Sequence, residues 1–215
     1  MTTKLTIFFI AMSMYIFNGY AQAYNPQQLK EGDLLFQQLN CGSLCKAIDA
    51  VTYGIHGRDF SHCAIVVKAS DSLQVVEAIG GVVQYKSIFE FYKRTNDNSI
   101  VKHITQMRLK PEYTHLIHKA TYFAKDLVGT PYDNEFRMNN GSMYCSELLY
   151  EVFKYAHNGI AFFPLQPMTF KSPNTKKYFP AWVKYYKALG KPIPQGKLGT
   201  NPGAISRSNK LTLIQ

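Results

Sequence analysis

The chain has 215 residues, 46% hydrophobic and 18% charged, enough for one packed core and too apolar for wholesale disorder. Lys and Arg number 24 against 14 Asp and Glu, a formal net charge of +10. The cations are scattered instead of gathered into a stripe, which excludes any motif-based case for nucleic acid and leaves an anionic envelope surface as the simpler partner.

Residues 1–23 read as an export signal. Lys4 is the only charge, 5–17 form an apolar run, and Ala21-Gln22-Ala23 is a small-x-small cleavage pattern. The competing reading is an uncleaved anchor, but the run is shorter than the roughly 20 residues a membrane span requires. Periplasmic or secreted localisation is therefore expected. The rest divides into one α+β domain over 24–189 and an irregular C-terminal wrap over 190–215.

Along that domain, Glu31-Gly32-Asp33 turns into a short strand at Leu34-Leu35-Phe36, and 44–53 has helical character. Residues 62–68 and 73–79 are β-branched runs joined at Asp71-Ser72, a hairpin. Gly80-Gly81 breaks the second strand and 82–85 continues it; 88–92 suits a helical turn and 100–109 alternates as a strand. Leu116, Ala120, Phe123, Ala124 and Leu127 recur at helical spacing until Gly129. Residues 143–156 repeat that pattern, with Ser142 as N-cap and Gly159 as stop. Residues 174–182 and 190–203 look like loops.

Four cysteines bear on chemistry. Cys41 and Cys45 are spaced to meet across one helical turn, so a disulfide and a free pair both stand as readings. Cys63, in an apolar run, reads as a buried small hydrophobe. Cys145 has no obvious partner and falls near a helix start, where free N–H groups and the helix dipole favour a thiolate. The bland alternative is a core cysteine. His62 opens an apolar strand, either as a working imidazole or as a satisfied rim residue. Glu77 shares a strand face with Leu73, Val75 and Ile79. A carboxylate in such a row needs a partner, which the neighbouring His62 strand offers, unless Glu77 lies on an edge and faces water. His115 and His118 lack a Cys or carboxylate at ligand spacing, so no metal is expected, and no cofactor motif is present.

At these residues the chain resembles the NlpC/P60 papain-like superfamily, in particular its circularly permuted branch of YiiX/YebB-like and YaeF-like hydrolases, and more distantly lecithin–retinol acyltransferase. The resemblance rests on Gly32-Asp33-Leu34-Leu35-Phe36, on Ser61-His62-Cys63-Ala64-Ile65-Val66-Val67 with Val76-Glu77-Ala78, and on Gly129-Thr130-Pro131-Tyr132-Asp133 with Tyr144-Cys145-Ser146-Glu147-Leu148. The nucleophile segment follows the histidine strand here, the reverse of the unpermuted order. The resemblance implies a small antiparallel sheet packed against helices, with Cys145 as nucleophile, His62 as base, Glu77 as orienter and the Tyr132 hydroxyl at the oxyanion. It implies hydrolysis of an amide, in a peptidoglycan peptide or related substrate. A lipid-directed thioester acyltransferase and a non-catalytic envelope-binding module are the alternatives. Asp133-Asn134-Glu135-Phe136 stands where the family has glycines, so the substrate wall is expected to differ from that of typical peptidoglycan peptidases.

Overall fold

The computed structural model of the chain describes residues 28–94 and 104–214. The expected export signal, His103 and the start of the strand expected over 100–109 lie outside the described residues.

The fold is α+β, with an antiparallel sheet packed against helices. Strands β1 (Leu34–Gln37), β2 (His62–Ala69), β3 (Ser72–Ile79), β4 (Val82–Ser87), β5 (Ile104–Leu109) and β8 (Leu211–Leu213) form one sheet in the order β4-β3-β2-β1-β5-β8. A second ladder pairs β6 (Gln166–Pro167) with β7 (Leu198–Gly199). The α-helices among the described residues are α1 (Ser43–Asp49), α2 (Ile88–Lys93), α3 (Ile117–Asp126), α4 (Cys145–Ala156), α5 (Pro180–Leu189) and α6 (Pro202–Ser206), with short 3-10 turns at Ile55–Gly57 and Pro111–Leu116.

The period-two pattern of β2 and β3 splits the sheet into two apolar faces. Cys63, Ile65 and Val67 face the main core with Val76, Ala78 and the buried side of α4; Ala64, Val66 and Val75 face a smaller core under Phe91 of α2. The register pairs Ile65 with Val76, so Glu77 and His62 both fall on the Phe91 face. Helix α2 is fixed at its start by a reciprocal capping box between Ser87 and Glu90.

The structure corrects several sequence expectations. Residues 82–85 do not continue β3. They turn back as β4, because Gly80 (φ 65°) and Gly81 (φ 101°) form a two-residue hairpin between the paired Ile79 and Val82. Strand β3 is therefore internal, and Glu77 is not an edge residue facing water. Part of 174–182 is helical: Pro180 starts α5 and Gly190, left-handed at φ 65°, ends it, so that Trp182 and Tyr186 bury one face. The segment 190–215 is more than an irregular wrap, since it supplies β7, α6 and β8. Cys41 and Cys45 form the disulfide, at the start of α1.

Candidate active site

Helix α4 begins at Cys145, with the extended Tyr144 (φ −89°, ψ 169°) as N-cap. Ser142 was expected in that role. Its neighbour Met143 is instead held in extended backbone by a bridge to Tyr132, and the Ser142 hydroxyl donates to Asn140 at 2.8 Å. Cys145 thus occupies the first helical position, among the N–H groups that α-helical pairing leaves free. The Glu147 carboxylate accepts from the N–H groups of Tyr144 and Asn139, and burial pushes it up to about 8.

Cys145 is 7% exposed and within hydrogen-bonding reach of two side chains, the Cys63 thiol and the His62 imidazole. Donation from Cys63 pulls the Cys145 thiol down most. Burial opposes this, and the hydrogen bond and positive charge of His62 add to the lowering. Cys63 moves the other way, raised by burial and then by the neighbouring Cys145 charge, so it stays a thiol and donates. Cys63 is buried as the sequence suggested, but it is also a neighbour of the Cys145 sulfur. Its alternation inward was readable; the arrival of α4 over that point of β2 was not.

His62 Nε2 lies 2.6 Å from Glu77 Oε2, which leaves Nδ1 as the nitrogen for the thiol. Burial by itself would lower the imidazole. The Cys145 and Glu77 charges and hydrogen bonds outweigh it and lift His62 to about 9. Burial likewise pushes Glu77 up, but His62 and Arg94 together hold its carboxyl below the usual range. Arg94 donates to Glu77 Oε1, and its guanidinium lies over the Phe91 ring at 5.2 Å. Arg94 was not singled out in the sequence, where it is one of many scattered cations. Its signal is the Ser87–Glu90 capping box, which fixes the helix that carries it back over Glu77.

Tyr132 is half-buried. Its N–H donates to the Gly81 carbonyl at 2.8 Å, tying the chain that leads to Cys145 to the β3–β4 turn. Burial, followed by the adjacent Cys145 charge, raises its phenol well above the ordinary value, so it remains a donor. The structure therefore brings Cys145, His62 and Glu77 into one chain of contacts, with Tyr132 and Cys145 lining a common cleft of about 270 Å³. His56, His115, His118 and His157 line none of it.

The departure at 133–136 builds one wall of that cleft. Buried Asp133 accepts the N–H groups of Glu135 (2.7 Å) and Arg137 (2.5 Å), a tight turn that drives Phe136 to φ 53°. The Phe136 ring then sits among Tyr144 (5.5 Å), Trp182 (5.6 Å) and Tyr132 (6.4 Å). Met168 and Phe170 extend the apolar lining.

Residues 28–215 match the family model of permuted papain-like amidase enzymes of the YaeF/YiiX type. The chain is 26% identical to the uncharacterized protein YiiX of Escherichia coli K12 over 217 aligned positions, covering 100% of this chain and 96% of that protein. It is also similar to the crystal structure of YiiX from Escherichia coli O157:H7, described as a metalloprotein, with a TM-score of 0.68 and 25% identity over 87% of this chain and 97% of that one. Among the described residues of the present chain, no group of three or more His, Cys, Asp and Glu side chains is arranged to hold a metal ion. With a family match over most of its length, and with the Cys145 segment following the His62 strand in chain order, the chain belongs to the permuted papain-like amidases, cysteine hydrolases of amide bonds.

Proposed function

We propose that this amidase is exported and cleaves an amide in a cell-wall peptide or related envelope substrate, with Cys145 as nucleophile, His62 as acid and base, and Glu77 as orienter. The observation that carries the reading is the continuous buried series Cys145–His62–Glu77, anchored by the 2.6 Å contact at its far end. The Cys145 thiolate attacks the amide carbonyl carbon. The carbonyl oxygen takes up the displaced electron pair and is received by the Cys145 N–H at the helix start and the Tyr132 hydroxyl. The tetrahedral species collapses as the imidazolium gives its proton to the leaving nitrogen, which departs as an amine. A water molecule, deprotonated by the now neutral His62, hydrolyses the thioester and restores thiolate and imidazolium. Glu77 stays ionised throughout and stabilises the imidazolium.

The apolar run before Ala23, the Cys41–Cys45 disulfide and the net charge of +10 support export towards an anionic envelope. The aromatic cleft gives a lipid-directed thioester enzyme some support as a second reading. Purified mature protein should release amine from wall peptides and no fatty acid from phospholipid vesicles, and Cys145→Ser should abolish that release while remaining folded. Full activity in folded Cys145→Ser would overturn the mechanism. A chain still carrying residues 1–23 in the cytoplasm would overturn the export.

A further inference from the structure

The cleft beside Cys145 is lined by apolar and neutral polar side chains with one exception. Apart from Cys145 itself, Arg207 is the one charged residue among the described residues that line it, and no Asp, Glu or Lys joins it there. Arg207 and Tyr53, its partner on the cleft wall, are both exposed, Tyr53 at 62%, so a ligand in the cleft can reach them.

The backbone fixes where this cation stands. The Thr200 N–H donates to the Tyr144 hydroxyl at 3.1 Å, and its carbonyl accepts from the Ser146 hydroxyl at 3.2 Å. Thr200 is thus clamped to the two chain neighbours of Cys145. From there Asn201 caps α6 by accepting the Ala204 N–H at 2.7 Å, and the helix runs five residues, about 7 Å, to Arg207. Helix α6 lies tight against residues 52–55. A Cβ at Gly203 would come within 1.8 Å of the Thr52 carbonyl oxygen, and Ser206 Oγ accepts the Ile55 N–H at 3.0 Å. The Arg207 guanidinium lies over the Tyr53 ring, 4.0 Å from its centre, and donates through Nη1 to the Tyr53 carbonyl. A guanidinium has five N–H donors, so this anchoring leaves others for a ligand, and an already ordered side chain loses less freedom on binding.

We propose that Arg207, held by Tyr53, binds a carboxylate of the substrate about two peptide residues from the scissile amide, so that the enzyme selects acidic peptides. The proposal rests on Cys145 being the nucleophile. A guanidinium takes a carboxylate through two parallel N–H bonds, which fixes orientation as well as charge. One cation balances one negative charge, whereas a phosphomonoester dianion would be half compensated. An ammonium group would meet a cation in this cleft and no acid. A fatty-acyl chain would lie against the aromatic walls and offer nothing to Arg207.

The test uses the whole mature protein and two alkylating agents of one shape, N-iodoacetyl-dialanine and its C-terminal amide, which differ by one negative charge. In both, the Cys145 sulfur bonds to the methylene carbon, and iodide leaves with the electron pair of the broken C–I bond. Two extended residues span about 7 Å, which matches the length of α6. Labelling of Cys145, followed by mass spectrometry, should be about 5- to 20-fold faster with the acid at low salt, and the ratio should shrink as salt rises. Arg207→Gln should bring the ratio to within about twofold of unity, and Arg207→Lys should keep part of it. Lys119→Gln removes an exposed cation on α3, outside the cleft, and should leave the ratio unchanged. The ratio of iodoacetate to iodoacetamide should stay the same in Arg207→Gln, because that carboxylate remains beside the reacting carbon; a merely structural role would move both ratios. Equal rates for the two dialanine agents in the wild-type protein overturn the subsite without touching the nucleophile. So does an unchanged ratio in Arg207→Gln, or an equal drop in Arg207→Gln and Lys119→Gln, which would mark general attraction to a cationic protein. If Arg207→Gln fails to fold, the wild-type ratio and its value in Lys119→Gln decide. Failure of iodoacetamide to label Cys145 at neutral pH would instead overturn the nucleophile reading, and the subsite with it.

Discussion

The imidazole of His62 and the carboxylate of Glu77 meet at 2.6 Å on the face of the sheet opposite the main core, under the Phe91 ring. Because Nε2 is committed there, Glu77 sets which nitrogen His62 turns towards Cys145. Glu77→Gln is expected to lower kcat/KM by about 10- to 1000-fold through weaker orientation and imidazolium stabilisation, with secondary structure retained by circular dichroism. Arg94→Met leaves that contact in place and removes only the cation behind it, so a smaller loss is expected in the same assay.

In the mechanism proposed above, the active form holds a thiolate and an imidazolium together. His62 is lifted to about 9, so activity should fall as pH rises through that value and the imidazolium loses its proton. Cys145 is lowered, so the acidic limb should lie well below the ordinary thiol range. Alkylation of Cys145 by iodoacetamide, measured against pH, should already be fast below neutrality. In Glu77→Gln the alkaline limb should shift to lower pH, since one of the charges raising His62 is gone. An alkylation rate that rises only near pH 8–9, as for a free cysteine, would contradict the ion pair.

Cys41 and Cys45 are joined across a Cα separation of 5.2 Å. Intact denatured protein should therefore take up two equivalents of alkylating agent, at Cys63 and Cys145, and four after reduction. The bridge closes a short loop, so its chain-entropy contribution is at the low end, about 2 kcal/mol. The double replacement Cys41→Ser with Cys45→Ser should lower Tm by about 4–8 °C in a calorimeter.

Asp33 is fully buried and accepts from Arg108 Nε (2.6 Å), Arg108 Nη2 (2.8 Å), Gln106 Nε2 (2.7 Å) and the Lys30 N–H (2.7 Å). It ties the start of β1 to β5, on the sheet that carries the site. Asp33→Asn should cost about 2–3 kcal/mol in urea unfolding, below the cost of breaking a fully buried pair because Arg108 is partly exposed and can rehydrate. Alkylation of Cys145 under native conditions should change little.

The site was legible where one local rule decided the outcome. A lone carboxylate in the apolar row of Glu77 asked for a partner, and strand alternation put His62 on the same face. Cys145 near a helix start was readable from the apolar pattern that follows it, although the cap was misplaced from Tyr144 to Ser142. What escaped depends on elements meeting through the chain's return. Arg94 reaches Glu77 only because α2 folds back over the sheet. Cys63 meets Cys145 only because α4 lands on the other face. Thr200 joins them from a segment that looked like loop. Two misses had local signals: Pro180 with Gly190 brackets α5, and Gly80-Gly81 suits a two-residue turn.

The short strand β8 has a consequence for the behaviour of the protein in solution. One rim of the main sheet, along β4, is covered by the chain at 129–132, where Val83 exchanges hydrogen bonds with Gly129 and Thr130. The other rim would be β5 were it not for Leu211–Leu213 pairing along it. These few residues keep a row of backbone donors and acceptors from serving as a template for a second molecule. A variant shortened at residue 210 would retain Cys145, His62, Glu77 and Tyr132, yet offer β5 to its neighbours. Its defect would surface as concentration-dependent self-association, visible in sedimentation or light scattering, while dilute samples still reacted normally with iodoacetamide.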